Sequence, residues 1–168
     1  MTLKLILVRH AKSDWGDPTL PDHDRPLNKR GWRDAPRIGA WLSEKGYRPT
    51  KVTVSSARRA QETWEGISSR LDATPKLRTD AKLYHADPET LLRFTRGSFA
   101  DTHLMIAHNP GMAEFAHRIV NKAPAHPRFA DFPTCSTLVL DMQEADWRDI
   151  GWQAAKVLDF VTPHDLPT

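Results

Sequence analysis

A short run of branched apolar residues near the N-terminus limits what this chain can fold into. Leu5 to Val8 contains no polar residue, and its length suits a strand better than a helix. Such a run is typical of a strand buried on both faces, as in a parallel sheet covered by helices. Arg9 and His10 follow directly. Ligands of parallel α/β sheets bind at the carboxyl ends of the strands, so this pair is either a charged turn or part of an anion site.

The rest of the chain alternates strand-like and helix-like segments. Apolar runs predict further strands at 51–54, 77–79, 102–107, 137–140 and 155–158. Periodic segments predict helices over about 29–45, 59–71, from 88 onwards and 111–121. This alternation predicts an α/β fold, a three-layer α/β/α sandwich with a largely parallel central sheet. We expect residues 1–168 to form a single domain.

Local signals refine the first helix and two loops. Asn28 is a suitable N-cap, and Pro36 predicts a kink or a later helix start near its position. The inner face of this helix is predicted to carry Trp32, Ile38, Trp41 and Leu42. The segment 11–27 is rich in Asp and Pro, and loops of that length are commonly functional. The proline-punctuated segment 123–134 is predicted to be a surface loop.

Composition narrows the class of protein. With 39% hydrophobic and 27% charged residues, the chain is typical of soluble globular proteins, and its apolar runs are far too short to span a membrane. The N-terminus lacks the apolar segment of a signal peptide, and a single cysteine fits a reducing compartment. We therefore expect a cytoplasmic protein.

The charge pattern bears on binding partners. The formal net charge is +3, without a run of five like charges. A small anionic substrate explains this excess as well as a polyanion would. We expect no nucleic-acid partner and no membrane partner, and we take a monomer as the simplest state.

Three predicted strands end in residues that bind anions. The first ends in Arg9-His10, the second is followed by Ser55-Ser56-Ala57-Arg58-Arg59, and the strand at 102–107 by His108-Asn109-Pro110-Gly111. If these strands are parallel, their ends share one edge of the sheet, beside helix N-termini that favour anions. Guanidinium groups bind phosphate oxygens in bidentate pairs. The sequence therefore predicts a site for phosphate or another tetrahedral oxyanion.

Four segments resemble the motifs of the histidine phosphatases, the phosphoglycerate mutase-like superfamily, in the family's order. They are Val8-Arg9-His10-Ala11-Lys12-Ser13, Arg25-Pro26-Leu27-Asn28-Lys29-Arg30-Gly31, Ser55-Ser56-Ala57-Arg58-Arg59-Ala60-Gln61-Glu62-Thr63 and Ile106-Ala107-His108-Asn109-Pro110-Gly111. The first has Ala-Lys-Ser in place of the commoner glycine, and the chain looks closest to the SixA-type phosphohistidine phosphatases. The resemblance implies a phosphoglycerate mutase-like fold and phosphatase activity.

The resemblance also assigns roles to individual residues. His10 would be the nucleophile that becomes transiently phosphorylated. Arg9, Arg59 and His108 would be catalytic and would bind the phosphoryl group, and Arg25 would add to substrate binding. No metal and no other cofactor is expected. The partner would be a phosphorylated protein, carrying phosphohistidine, or a small phosphorylated substrate.

The chemistry of the residues agrees with these roles. An imidazole must be neutral to attack phosphorus, and its unperturbed pKa is about 6.5. Neighbouring guanidinium groups lower the pKa of His10, and its other ring nitrogen should donate to a backbone carbonyl. Of the two adjacent arginines, Arg59 holds the motif position before Ala60, and Arg58 should face elsewhere.

The proton donor of many family members is not evident here. Those enzymes carry a glutamate in a Leu-x-Glu context, where this chain has His85, with Asp87 and Glu89 nearby. The imidazole of a phosphohistidine leaves more readily than an alkoxide does. Lack of a clear acid therefore favours a phosphoramidate, or another activated phosphate, over a sugar monoester.

Other interpretations of the same residues stay open. His10 and His108 could be zinc ligands, although the neighbouring arginines would repel a cation. Cys135 could indicate a cysteine phosphatase, but the next arginine is Arg148, too far along to close a short anion loop. A small-molecule phosphatase or mutase of the same fold is an alternative enzyme. A catalytically weak phosphoprotein-binding module is an alternative of another class. The leading hypothesis is a phosphohistidine phosphatase acting on a signalling or phosphotransfer protein.

Overall fold

A six-stranded sheet and four α-helices make up the computed structural model, which describes residues 2–167. The strands are β1 (Lys4–Arg9), β2 (Lys51–Ser55), β3 (Lys76–Asp80), β4 (Thr102–Ala107), β5 (Thr137–Asp141) and β6 (Lys156–Val161). The helices are α1 (Lys29–Glu44), α2 (Arg58–Ser68), α3 (Pro88–Arg96) and α4 (Gly111–Ile119). Within the described residues, no helix is both long enough and apolar enough to cross a membrane.

The strand order of the sheet is β3-β2-β4-β1-β5-β6. The first four strands run parallel, whereas β5 is antiparallel to both β1 and β6. The predicted largely parallel sheet is confirmed. The carboxyl ends of β1, β2 and β4 therefore lie at one edge, with β1 in the interior of the sheet.

Alternate residues of β1 pack into opposite layers. Leu5 and Leu7 belong to the core cluster that contains the inner faces of α3 and α4. Ile6 and Val8 belong to the cluster formed with α1 and α2. All four side chains are fully buried, which explains why this strand has no polar position. Helices on both faces of the sheet confirm the three-layer sandwich.

Helix α1 begins as predicted, but it differs from the prediction at Pro36 and Trp32. Asn28 caps it as predicted, since its side chain accepts a hydrogen bond from the first helical turn. The helix then continues through Pro36, so the alternative of a later start is wrong. The buried face formed by Ile38 and Leu42 offsets the single backbone hydrogen bond that the proline removes. Trp32 is 38% exposed and lies outside that face, contrary to prediction.

The last strand also begins later than predicted. Ala155 pairs with Val120 in an isolated bridge, and β6 then runs from Lys156 to Val161. Helix α2 ends at Ser68 rather than near residue 71. These shifts are confined to element ends and leave the predicted site edge intact.

Candidate active site

His10 lies immediately after β1 with its ring buried. Its Nδ1–H donates to the carbonyl oxygen of Ala11 at 2.7 Å. Its own backbone N–H donates to Ala107 at 3.1 Å, and its carbonyl accepts from Cys135 at 3.0 Å. With Nδ1 protonated, the lone pair of the neutral ring is on Nε2.

His108 follows β4, and its ring centroid lies 5.0 Å from that of His10. Ser55, the last residue of β2, places its Oγ 2.7 Å from His108 Nε2. That hydroxyl oxygen accepts the N–H of Ala57 at 3.2 Å, so its hydrogen is free to donate to Nε2. His108 then carries its proton on Nδ1, a buried atom with no hydrogen-bond partner in the described structure. In this tautomer, the Nδ1–H of His108 is available to an anion.

Both histidines are neutral at neutral pH. Burial lowers the pKa of His10 well below its usual value, and His108 and Arg59 lower it further. Burial, followed by the charge of Arg59, lowers the pKa of His108 to about 3. His10 therefore keeps a free lone pair, as a nucleophile requires.

Two guanidinium groups, one of buried Arg59 and one of half-buried Arg9, lie near the histidines. Arg59, in the first turn of α2, donates to the carbonyl of Asp22 at 2.7 Å and to its carboxylate at 3.0 Å. Arg9, at the end of β1, donates to the carbonyl of Phe132 at 3.2 Å. Burial, and then Arg59, lowers the pKa of Arg9. The Nε–H of each arginine is buried without a partner among residues 2–167, so both are available to a ligand oxygen.

Arg58 and Arg25 are placed differently. Arg58 is on the exposed side of α2 and pairs with Glu62 at 3.2 Å. The buried guanidinium of Arg25 donates to Ser13 at 2.8 Å and to the carboxylate of Asp22 at 3.1 Å. Arg25 is therefore connected to the site indirectly, by its hydrogen bond to the carboxylate of Asp22.

Asp22 is a site residue that sequence reasoning missed. It lies in a 3₁₀ turn, Asp22–Asp24, within the 11–27 loop. Its carboxylate accepts hydrogen bonds from Arg59, Arg25 and the hydroxyl of Tyr84, the last at 2.5 Å. These contacts, that of Tyr84 foremost, hold the pKa of Asp22 well below its usual value, and the carboxylate is ionised. The Asp-rich loop contained the signal, but four aspartates between residues 14 and 24 were equal candidates.

Tyr84, also missed, covers the rings of the site. Its ring centroid lies 5.5 Å from that of His108, 4.8 Å from that of His23 and 3.9 Å from that of His85. Burial, and then its hydrogen bond to Asp22, raises the pKa of Tyr84. Tyr84 is therefore a neutral phenol that donates to Asp22.

The three candidate proton donors are not equivalent. Asp87 caps α3 by accepting from Thr90 at 2.8 Å, and Glu89 pairs with Arg118 at 2.8 Å. Both carboxylates thus serve local structure. His85 is exposed and stacks on Tyr84 beside the site.

Neither a metal centre nor a cysteine site is evident in the part of the chain that the structure describes. No group of three or more His, Cys, Asp or Glu side chains there could hold a metal ion. Cys135 is fully buried, and burial raises the pKa of its thiol. A protonated, inaccessible thiol does not fit a cysteine phosphatase.

The fold and the site together define a class of protein. A cluster of arginines and histidines at the carboxyl ends of parallel strands, next to the starts of two helices, is typical of an enzyme that handles phosphate. The chain belongs to the histidine phosphatase superfamily, whose branch 1 matches residues 5–87. Membership of this superfamily supports phosphatase activity.

Two curated proteins and one solved structure are similar to this chain. An uncharacterised protein of Mycobacterium leprae is 32% identical over 165 residues, which cover 93% of this chain and 99% of that protein. An uncharacterised chloroplastic protein of Arabidopsis thaliana is 44% identical over 69 residues, 41% of this chain but 32% of that protein. The solved structure of the protein histidine phosphatase SixA complexed with tungstate shares the fold, with a TM-score of 0.78 at 17% identity over 97% of this chain and 99% of that one.

Proposed function

We propose that this protein is a SixA-like phosphohistidine phosphatase that acts through a phosphorylated His10. The observation that carries the proposal is the state of His10, a buried, neutral imidazole whose Nδ1–H is held by Ala11. Its substrate would be a phosphorylated protein of a signalling or phosphotransfer system, in the cytoplasm.

In the first step, Nε2 of His10 attacks the phosphorus of the substrate. A nitrogen–phosphorus bond forms on His10 while that of the substrate breaks, and its electron pair goes to the leaving imidazole. That imidazole departs neutral when its other nitrogen is protonated. The Nε–H groups of Arg9 and Arg59 and the Nδ1–H of His108 stabilise the charge on the phosphoryl oxygens.

In the second step, a water molecule attacks phospho-His10. Its oxygen forms a bond to phosphorus, the bond to Nε2 breaks, and the electron pair returns to the imidazole. One proton of the water goes to solvent or to the phosphate product. Two transfers thereby replace one direct hydrolysis, and the enzyme returns to its initial state.

The leaving-group side of the site supports a nitrogen-linked substrate. An alkoxide leaving group needs a general acid, but Asp87 caps helix α3, Glu89 pairs with Arg118 and Asp22 is held ionised. Of the predicted donors this leaves only His85, which is exposed and stacks on Tyr84. A phosphohistidine makes no such demand. The structural likeness to SixA, a protein histidine phosphatase, points the same way.

Trapping of the phosphoenzyme tests this mechanism. Brief exposure to labelled phosphoramidate should place acid-labile label on the peptide that contains His10. His10→Ala should neither incorporate label nor release phosphate, because no other nucleophile replaces the imidazole. The control is His117→Ala, an exposed histidine on α4, which should behave as wild type.

Two results would contradict the proposal. Label on another residue, or turnover by His10→Ala, would exclude the phospho-His10 intermediate. Faster hydrolysis of sugar phosphates than of a phosphohistidine peptide would instead assign the protein as a small-molecule phosphatase. Movement of phosphate within the substrate would make it a mutase.

A further inference from the structure

We propose that a groove next to the candidate active site binds the extended protein segment on either side of the substrate phosphohistidine. This inference rests on the proposed function. The groove has a volume of 590 Å³ and lies between α2 and the edge strand β3. Its lining does not include His10, Arg9, Arg59 or His108, but it does include the residues that follow Asp22 and Ser55.

The near end of the groove is one residue away from the site on two segments. His23 follows Asp22, and Ser56 follows Ser55. The side chains of His23 and Ser56 lie 2.8 Å apart in a hydrogen bond, and both line the groove. The ring of Tyr84 contacts His23 as well as His108. A peptide whose phosphoryl group reached His10 would therefore continue past His23 into the groove.

The groove has an apolar floor. Val54 of β2, Trp64 of α2 and Leu77 of β3 line it together. Leu77 is 54% exposed, which is unusual for a leucine on a strand, and no helix of the described chain covers it. Apolar side chains of a partner could fill this floor.

The side chains that line the groove carry a net negative charge, whereas Arg9 and Arg59 give the candidate active site a positive charge. Asp24, Glu62 and Glu65 line it, against the single guanidinium of Arg58. That guanidinium is already paired with Glu62, and Asp24 lies 3.5 Å from the imidazole of His23, so Glu65 is the carboxylate of the groove without an ion-pair partner among residues 2–167. Lysine or arginine near the phosphohistidine would complement these carboxylates.

The position of β3 favours an extended occupant. This strand is at the edge of the sheet and pairs with β2 only. Its outer backbone groups can therefore hydrogen-bond to an added strand. Alternate side chains of that strand would lie on the face of Leu77 and Thr79, which line the groove.

The test compares kcat/KM of this protein for three substrates. One is a short peptide with a central phosphohistidine flanked by lysine and leucine, the second has glutamate and serine as flanks, and the third is free phosphohistidine. We expect kcat/KM to be about tenfold higher for the first peptide than for the second, a gain of roughly 1.4 kcal/mol. In Leu77→Lys, the ratio of kcat/KM for the first peptide to that for free phosphohistidine should fall about tenfold.

Phe99→Lys is the matched control. Phe99 is 96% exposed and outside the groove, so the same added charge there should leave that ratio unchanged. Equal turnover of the two peptides, or an unchanged ratio in Leu77→Lys, would overturn the docking proposal alone. No turnover of any of the three substrates by the wild type would overturn the proposed function and, with it, this inference. A wild-type dimer that Leu77→Lys made monomeric would assign the groove to a second copy of the chain instead.

Discussion

At the scale of single residues, Asp22 and the phosphoryl group of the proposed reaction would share Arg59 as a partner. Both anions are complementary to Arg59, and the carboxylate already accepts from its Nη2 at 3.0 Å. Asp22 therefore orients the guanidinium but also repels a bound anion. Because these two effects oppose each other, removing the charge of Asp22 should strengthen anion binding and weaken turnover.

Asp22→Asn should bind tungstate, a tetrahedral oxyanion, more tightly than wild type. Removing one negative charge a few ångströms away is worth about 1 kcal/mol, or roughly a fivefold lower Kd. The same variant should lose turnover, because Arg59 is held less firmly. Titration calorimetry measures the first effect and steady-state kinetics the second.

Asp17→Asn controls for the charge of the 11–27 loop. Asp17 is exposed in the same segment and its carboxylate bonds only to Thr19 among the described residues, so its replacement should change neither quantity. Weaker tungstate binding by Asp22→Asn would show that orientation of Arg59 dominates over repulsion.

The residues at strand ends could be predicted from sequence, whereas those on loops could not. Buried apolar runs mark where β1, β2 and β4 stop, and parallel strands bring His10, Arg59 and His108 to one edge. The path of the 11–27 loop depends on long-range contacts, such as the hydrogen bond from Arg25 to Ser13. Because those contacts leave no periodic pattern, Asp22 was not distinguishable from its neighbours.

At the scale of elements, the start of α4 is in close contact with the segment before α3. A Cβ placed on Gly111 would lie 1.8 Å from the carbonyl oxygen of Ala86, so only glycine fits there. This contact fixes the start of α4, three residues after His108. Helix packing and site geometry are therefore coupled at one position.

Gly111→Ala should destabilise the protein by about 2–4 kcal/mol, since backbone rather than a flexible side chain must move. It should also lower kcat, because His108 moves with the helix. Urea denaturation and initial rates measure the two effects. Gly151→Ala is the control, with no atom within 4 Å of the added Cβ, and a similar loss in both variants would contradict the contact argument.

The sequence predicted that β5 is a strand but not the direction in which it runs. The run from Thr137 to Asp141 was predicted as a strand, and it is one. Its antiparallel pairing with β1 could not be predicted, because the side-chain pattern of a buried strand is the same in both directions. Only β1 to β4 had their direction implied by intervening helices, since α1, α2 and α3 separate them.

At the scale of the whole molecule, buried neutral histidines couple stability to pH. The buried imidazole of His103 lies between the hydroxyl groups of Thr53, at 2.7 Å, and Ser98, at 2.9 Å. Burial lowers the pKa of His103 to about 3, and that of His108 likewise to about 3. The folded protein thus excludes protons that the unfolded chain binds below about pH 6.5.

The free energy of unfolding should therefore fall as the pH drops from about 6.5 towards 3, by about 1.4 kcal/mol per pH unit for each of these histidines. His103→Gln should lower the free energy of unfolding at pH 7. It should also make that free energy less dependent on pH, by the contribution of one histidine. Urea denaturation between pH 7 and 4 measures the slope. His117→Gln, at an exposed position, should keep the wild-type slope, and an unchanged slope in His103→Gln would contradict the assignment.

The buried thiol has a practical consequence for spectroscopy. Cys135 is the only cysteine of the chain, and its side chain is inaccessible to reagents. A cysteine introduced at exposed Phe99 or Trp15 would therefore be the one site that a maleimide dye can reach. Fluorophores can thus be attached site-specifically on the native background, with Cys135 left in place and its backbone N–H still bonded to the carbonyl of His10.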